Sequence, residues 1–245
     1  MIAAAVLVHG SIERARNIPV ARALARNGVA TLTYDKRDMD MSEHLVELLY
    51  PRMEPATINA DRKNLDLLAE DASAAVKELI NQISSPLTPI GMIGISQAGW
   101  IIPVAAVRTP EVKFMTLWSG PLVTTHEQLR FQFFTNADGN FWDRHTEAEA
   151  RAHIKSDADR YSFVDTDPSD SLRNLSIPGL WIYGARDISV PTSLSIDRLE
   201  SLIASGKPFK HFVFPDAGHE LPFREVLSTS MDWLRESVLP TEHGS

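Results

Sequence analysis

Two kinds of residue are missing or scarce in this chain of 245 residues: it contains no cysteine and relatively few basic side chains. The lack of cysteine excludes disulfides, thiolate zinc sites and a cysteine nucleophile. Lys and Arg number 24 against 32 Asp and Glu, so the net charge is −8. Because no basic stripe is present that could displace counterions from phosphates, we expect no nucleic-acid partner.

Long hydrophobic runs are also missing. No stretch reaches the roughly 20 apolar residues that a membrane-spanning helix requires, so we expect no membrane partner. Residues 1–8 are apolar, but no basic segment precedes them and no small-residue cleavage pattern follows. This favours a buried strand over a signal peptide and predicts a cytoplasmic protein.

Several motifs that bind cofactors are not found. No G-x-G-x-x-G opens a helix after the first predicted strand, and no Gly-Lys-Ser/Thr follows Gly94. The histidines and carboxylates are scattered and form no H-E-x-x-H pattern, so we expect no metal site. The sequence therefore implies no cofactor.

Short apolar or β-branched runs alternate with longer amphipathic segments. Strands are predicted at residues 3–8, 29–34, 90–95, 112–118, 177–183 and 209–214. Helices are predicted at residues 17–28, 64–83, 97–107, 146–154, 192–204 and 222–238, and residues 41–62 as loop with one short helix. This alternation predicts a mostly parallel α/β sheet with helices on both faces, in one domain over residues 1–245.

Residues 121–178 are too many for a single crossover, so we predict a small helical insertion that acts as a lid over one end of the sheet. Thr146 and Glu149 have the spacing of a capping box. The insertion is rich in aromatic residues, and we hypothesise that several of them line an apolar substrate pocket. The candidates are Trp100, Phe131, Phe134, Phe141 and Trp142. The alternative is that the rings within the insertion only form its core.

The most specific local pattern is Gly-Ile-Ser-Gln-Ala-Gly at residues 94–99, between a predicted strand and a predicted helix. A serine in a tight strand-to-helix turn has a strained backbone, so the residues two positions away must be small. Gly94 and Ala98 satisfy this requirement. The pattern marks Ser96 as a candidate nucleophile, although small residues are common at such junctions.

A serine nucleophile requires a base, and the base requires a carboxylate that orients it. Asp187 and His219 each follow a predicted strand, and loops after parallel strands gather at one edge of a sheet. Taken singly, Asp187 could be a turn residue and His219 an exposed loop histidine. Their order after Ser96 favours a catalytic triad.

These segments, together with His-Gly-Ser at residues 9–11, resemble the α/β-hydrolase superfamily over nearly the whole chain. The likeness is to its serine esterase and serine-aminopeptidase-like group, which includes dienelactone-hydrolase-like relatives. It implies an α/β-hydrolase fold and cleavage of a carboxylic ester through an acyl-enzyme. The implied roles are nucleophile for Ser96, base for His219 and acid for Asp187, with the amides of Ser11 and Gln97 as oxyanion hole.

The resemblance is imperfect and leaves alternatives open. Ala98 replaces the second glycine of the serine motif, and Asp38 replaces the glycine of a Y-D-x-R-G segment. A serine peptidase acting on short peptides and a non-catalytic ligand-binding or interaction protein are the other hypotheses.

The first strand begins almost at Met1, whereas an antiparallel pair usually precedes it in this family. We therefore expect either a shortened sheet or a missing N-terminal piece. An uncovered sheet edge would make a homodimer a reasonable hypothesis.

Overall fold

A computed structural model of the chain describes residues 1–11, 16–37, 60–160 and 162–239. These residues form one all-parallel sheet of six strands in the order β2-β1-β3-β4-β5-β6. The strands are β1 (Ala3–Val8), β2 (Val29–Leu32), β3 (Ile90–Ile95), β4 (Val112–Trp118), β5 (Gly179–Gly184) and β6 (Phe209–Phe214). The predicted fold class is confirmed, and the described part of the chain adds no antiparallel strand to this sheet.

The predicted bounds of two strands are wrong, at the end of β2 and at both ends of β5, which extends to Gly184 instead of residue 183. β2 ends at Leu32 instead of residue 34, because the chain then leaves the ladder and Tyr34 packs against the ring of His9. β5 begins at Gly179 instead of residue 177. Pro178 has no N–H to donate to a strand ladder, which explains the later start.

Helices surround the sheet. They are α1 (Ile18–Arg26), α2 (Arg62–Gln82), α3 (Ala98–Arg108), α8 (Thr192–Ala204) and α9 (Phe223–Ser237). Between β4 and β5 the insertion contains α4 (Thr125–Thr135), α5 (Phe141–Arg144), α6 (Glu147–Ser156) and α7 (Pro168–Leu172). The short helix predicted within residues 41–62 falls almost entirely outside the described residues.

The fully apolar sequence of β1 follows from its position inside the sheet, where both of its faces are covered. Ala4, Val6 and Val8 belong to a core that includes residues of α2, α3 and α8. Ala3, Ala5 and Leu7 point the other way, into a core shared with α1 and α9. Alternate side chains of one strand thus enter opposite layers, as the two-residue period of a strand requires.

Local capping signals agree with the sequence. The side chains of Thr146 and Glu149 form the expected capping box at the start of α6. α1 ends at Arg26, and Gly28 just beyond it has a positive φ of 87°. The side chain of Thr146 accepts from the free N–H of Glu149 at the start of α6, and the N–H of Gly28 donates to the free carbonyl of Ala25 at the end of α1.

None of the helices within the described ranges combines the length and the apolar character needed to cross a membrane.

β2 forms one edge of the sheet and pairs with β1 alone among the described strands. A homodimer that pairs or covers this edge stays a prediction.

The stability of the fold is expected to depend on the inner face of α2. Leu65 is 1% exposed and Leu67, two residues on, is 40% exposed. We expect Leu65→Ala to lower the free energy of unfolding by about 2–5 kcal/mol, because it removes buried methyl groups and leaves a cavity. The control Leu67→Ala should change it by less than about 0.5 kcal/mol. Urea denaturation measures both, and equal effects would contradict the packing described here.

Candidate active site

Ser96 lies directly after β3, in a turn that leads into α3. Its φ is +53°, a left-handed conformation that is strained for a residue with a side chain. The Ser96 N–H donates a 2.8 Å hydrogen bond to the carbonyl of Trp118, at the end of the neighbouring strand β4. The turn is thereby attached to the sheet, and the side chain of Ser96 is presented at its carboxyl edge.

Glycine is required before the serine because the turn is crowded. A Cβ at Gly94 would lie 2.4 Å from the Cβ of Ala98 and 2.6 Å from Cδ1 of Ile102. At Gly99, a Cβ would lie 2.6 Å from backbone atoms of Pro121. The alanine at 98 is therefore accommodated by Gly94, and the glycine that follows it is needed where the chain after β4 approaches α3.

The structure brings Ser96, His219 and Asp187 into one hydrogen-bonded chain. His219 Nε2 lies 3.0 Å from the Oγ of Ser96, and its Nδ1 lies 2.8 Å from Oδ2 of Asp187. These residues follow β3, β6 and β5 respectively, so the parallel sheet places them at one edge despite their separation in sequence.

The carboxylate of Asp187 is fully buried and held from two sides. Its Oδ1 accepts hydrogen bonds from the N–H groups of Ser189 (2.7 Å) and Val190 (2.8 Å), and its Oδ2 faces His219. Asp187 is thus a turn residue and the partner of the histidine at once. These bonds fix the direction of the carboxylate within the Asp187 loop (residues 185–191).

Other charged residues near the proposed acid have different partners. Arg186 pairs with Asp143 of the insertion. Asp35 lies on the surface, and its Oδ2 is 3.3 Å from Nε of Arg16. Asp187 is the acidic residue that hydrogen-bonds His219.

The surroundings of His219 act on its pKa in opposite directions. Burial lowers the pKa by disfavouring the charged imidazolium, whereas the hydrogen bond and negative charge of Asp187 raise it, with a further contribution from Glu220. Together, the effects of Asp187 and Glu220 outweigh the effect of burial, so the pKa of His219 lies above its ordinary value. The site can therefore stabilise a protonated imidazole.

The loops that carry the acid and the histidine touch each other after β5 and β6. A Cβ at Gly184 would lie 2.2 Å from the carbonyl oxygen of Gly218 and 2.4 Å from that of Ala217. Only a residue without a side chain fits there. The contact brings the Asp187 loop and the segment before His219 within hydrogen-bonding distance.

Ser119 is a supporting residue that the sequence reasoning did not assign. It follows β4 with a positive φ of 49°, and its hydroxyl donates a 2.8 Å hydrogen bond to the carbonyl of His219. The only sequence signal was the Trp-Ser-Gly-Pro segment at the end of a predicted strand. Ser119 thus helps to fix the backbone that carries the histidine.

The insertion supports the Asp187 loop directly. Trp142 Nε1 donates to the carbonyl of Asp187 (3.0 Å), and Thr135 Oγ1 donates to that of Ile188 (2.7 Å). Gln132 Nε2 donates to the carbonyl of Ser189 (3.0 Å). Three side chains of the insertion therefore hold three successive carbonyl groups beside the buried carboxylate.

The aromatic residues of the insertion pack mainly on one another. Phe131 and Phe141 are fully buried, and the ring of Phe134 stacks on His153 at 3.7 Å and meets Phe141 edge-on. Trp100 is also buried, and its Nε1 donates to the carbonyl of Val123 (2.8 Å), where the insertion begins. These contacts stabilise the insertion and its attachment to α3; that the rings also border a substrate remains a prediction.

Ser11 and Gln97, the predicted oxyanion donors, follow the adjacent strands β1 and β3. Gln97 is buried and is the N-cap residue of α3. His9 is also buried, and its ring lies 4.9 Å from that of Tyr34 in an edge-on contact, in agreement with a structural role. The structure thus places both predicted donors at the edge that carries Ser96.

Across residues 1–11, 16–37, 60–160 and 162–239, no three His, Asp or Glu side chains form a group that could hold a metal ion.

No protein-family model and no curated protein matches this sequence. Solved structures do match its fold. An esterase of Pyrococcus furiosus aligns with a TM-score of 0.63 and 16% identity, over 96% of this chain and 82% of that one. Dienelactone hydrolase from Anabaena variabilis aligns with a TM-score of 0.58 and 19% identity, over 97% and 87%.

A third solved structure is longer than this chain. Acylaminoacyl peptidase of Pyrococcus horikoshii aligns with a TM-score of 0.58 and 15% identity, over 100% of this chain and 38% of the peptidase. Each of the three alignments covers at least 96% of this chain. The chain therefore has the α/β-hydrolase fold.

Proposed function

We propose that this protein is a serine hydrolase that cleaves carboxylic esters through an acyl-enzyme on Ser96. The observation that carries the proposal is the unbroken hydrogen-bond chain from Ser96 through His219 to the buried carboxylate of Asp187. Nucleophile, base and orienting acid in this geometry are the parts that acyl transfer by a serine requires.

The direction of proton transfer follows from the position of Asp187. Its carboxylate can only accept, so Nδ1 of His219 carries the hydrogen and Nε2 keeps a lone pair for the Ser96 hydroxyl. Ser96 attacks the ester carbonyl as His219 takes its proton, and Asp187 stabilises the resulting imidazolium. His219 then protonates the leaving alcohol. In the second half of the reaction His219 takes a proton from water, which attacks the acyl carbon. The bond to the Ser96 oxygen breaks, the acid leaves, and His219 returns the proton to Ser96.

The amides of Ser11 and Gln97 are proposed to bind the oxygen that becomes negative during attack. Main-chain donors that are already in place stabilise this charge without reorganising. Loss of one such donor typically lowers the rate by about 10²–10³-fold.

The choice of ester over amide is supported by the esterase and the dienelactone hydrolase among the similar structures. The acylaminoacyl peptidase supports the second candidate, cleavage of short peptides, although this chain spans only 38% of that protein. The proposed substrate is a small-molecule ester or, for the second candidate, a short peptide. A purely ligand-binding role does not require a histidine that is hydrogen-bonded both to a serine and to a buried carboxylate.

We expect Ser96→Ala to abolish hydrolysis of short p-nitrophenyl esters and labelling by a fluorophosphonate, because both reactions require the serine oxygen. The exposed Ser84→Ala serves as control and should retain both. Steady-state kinetics on acetyl to decanoyl esters, with aminoacyl p-nitroanilides in parallel, measures the activity and distinguishes the two candidates. Undiminished ester turnover by Ser96→Ala would overturn the mechanism, and faster anilide cleavage would favour the peptidase.

We expect the pH profile of kcat/KM to report the raised pKa of His219. The base must be neutral, so activity falls as the pH drops through this pKa, and the acidic limb should lie above the ordinary histidine value of about 6.5. Glu220→Gln removes a charge that raises the pKa and should move this limb to lower pH. Glu225→Gln, a change of an exposed acid on α9, should leave it in place. A shift to higher pH in Glu220→Gln would contradict this account.

The insertion is expected to act on the reaction through the Asp187 loop. Trp142→Phe removes the donor to the carbonyl of Asp187, a hydrogen bond of about 0.5–1.5 kcal/mol, so kcat should fall by about 2–10-fold. If the residue acts through the loop, the loss is the same for every acyl length. The exposed Val164→Ala in the same insertion is the control. A loss confined to long acyl chains would instead place Trp142 in the substrate pocket.

A further inference from the structure

A buried lysine that the proposed mechanism does not use lies beside the candidate active site. Lys36 follows β2 and is 7% exposed. Its Nζ donates hydrogen bonds to the carbonyl oxygens of Gly10 (2.8 Å) and Ser11 (3.2 Å). It also donates to Oε1 of Gln97 at 2.7 Å.

The three acceptors of Lys36 among the described residues lie on two segments of the chain. Two lie on the segment after β1 and the third lies on the residue that follows Ser96. These are the two segments whose amides are proposed to form the oxyanion hole. A single ammonium group therefore connects the two halves of that site.

The contact with Gly10 acts on a donor through one peptide unit. The carbonyl of Gly10 and the N–H of Ser11 belong to the same planar trans group, in which they point in opposite directions. A hydrogen bond that holds the oxygen therefore also sets the direction of the N–H. The positive charge on the oxygen side polarises the peptide and strengthens its N–H as a donor.

The contact with Gln97 acts on the second half of the proposed oxyanion hole. Lys36 hydrogen-bonds the side chain of Gln97, and the backbone N–H of Gln97 is the second proposed donor. Burying an ammonium is costly, since the charge leaves water, and charge-assisted hydrogen bonds offset part of that cost.

We propose that Lys36 is a positioning residue that joins the Gly10–Ser11 peptide to Gln97 and holds the oxyanion hole in its working geometry. The inference rests on the proposed function, since it assigns a role within that reaction. Lys36 acts through the two backbone amides, and its effect should appear in the transition state more than in substrate binding.

The test uses Lys36→Met, which keeps most of the stem and removes the ammonium group. The control is Lys77→Met on the exposed face of α2. We expect kcat for p-nitrophenyl butyrate to fall by about 10–10²-fold with KM changed by less than about threefold, a smaller loss than deletion of a whole donor gives. The Ki of phenylboronic acid, whose serine adduct places an oxygen in the hole, should rise by a similar factor.

A second variant keeps the proposal testable if Lys36→Met does not fold, as thermal unfolding and circular dichroism would show. Gln97→Ala retains the backbone donor but removes the side-chain acceptor through which Lys36 reaches this segment, so it should also lower kcat and weaken boronate binding. If Lys36→Met does fold, the double variant with Gln97→Ala should lose less kcat than the sum of the two single losses in free energy, because both substitutions remove the same bridge.

The outcomes separate this proposal from the function on which it rests. If Lys36→Met folds and retains kcat and boronate affinity within twofold while Ser96→Ala is inactive, the role of Lys36 is overturned and the hydrolase mechanism stands. Retained values in Gln97→Ala overturn it equally when Lys36→Met is unfolded. A wild-type protein without Ser96-dependent turnover overturns the function itself.

Discussion

The backbone turn at Ser96 is the constraint on which the rest of the site depends. A residue with a side chain holds a positive φ there only because the surrounding chain leaves it no alternative. Gly94 makes room for Ala98, and the hydrogen bond to the carbonyl of Trp118 attaches the turn to the sheet. Once the serine is fixed in this way, the loop after β5 positions Asp187 and the loop after β6 positions His219 beside it.

Much of this arrangement could be predicted from the sequence because its signals are local. Four of the six strands have their predicted bounds, and Ser96, Asp187 and His219 were each recognised by a short segment after a strand. The hydrogen bonds join these same residues. Loops that follow parallel strands lie at the same edge of the sheet. The position of these three residues after predicted strands was therefore enough to predict that their side chains lie close together.

The supporting contacts could not be predicted, because they depend on which strands are adjacent. Lys36 reaches Gln97 because β1 lies between β2 and β3 in the sheet, and nothing in the sequence around Lys36 indicates that order. Ser119 and Trp142 donate hydrogen bonds to backbone carbonyl groups. Every residue has such a carbonyl, so no sequence pattern indicates which one is the acceptor. Likewise, aromatic composition alone did not distinguish rings that pack within the insertion from rings that could border a substrate.

The separation of the triad along the chain has a consequence for how the protein matures. Ser96 and His219 are 123 residues apart, and every strand between them must be joined through a crossover before the two can meet. Such long-range pairing is slow to form, and the histidine leaves the ribosome after the serine, since synthesis proceeds from the N-terminus. Under the proposed mechanism, Ser96 therefore has no base until β6 joins the sheet and positions His219.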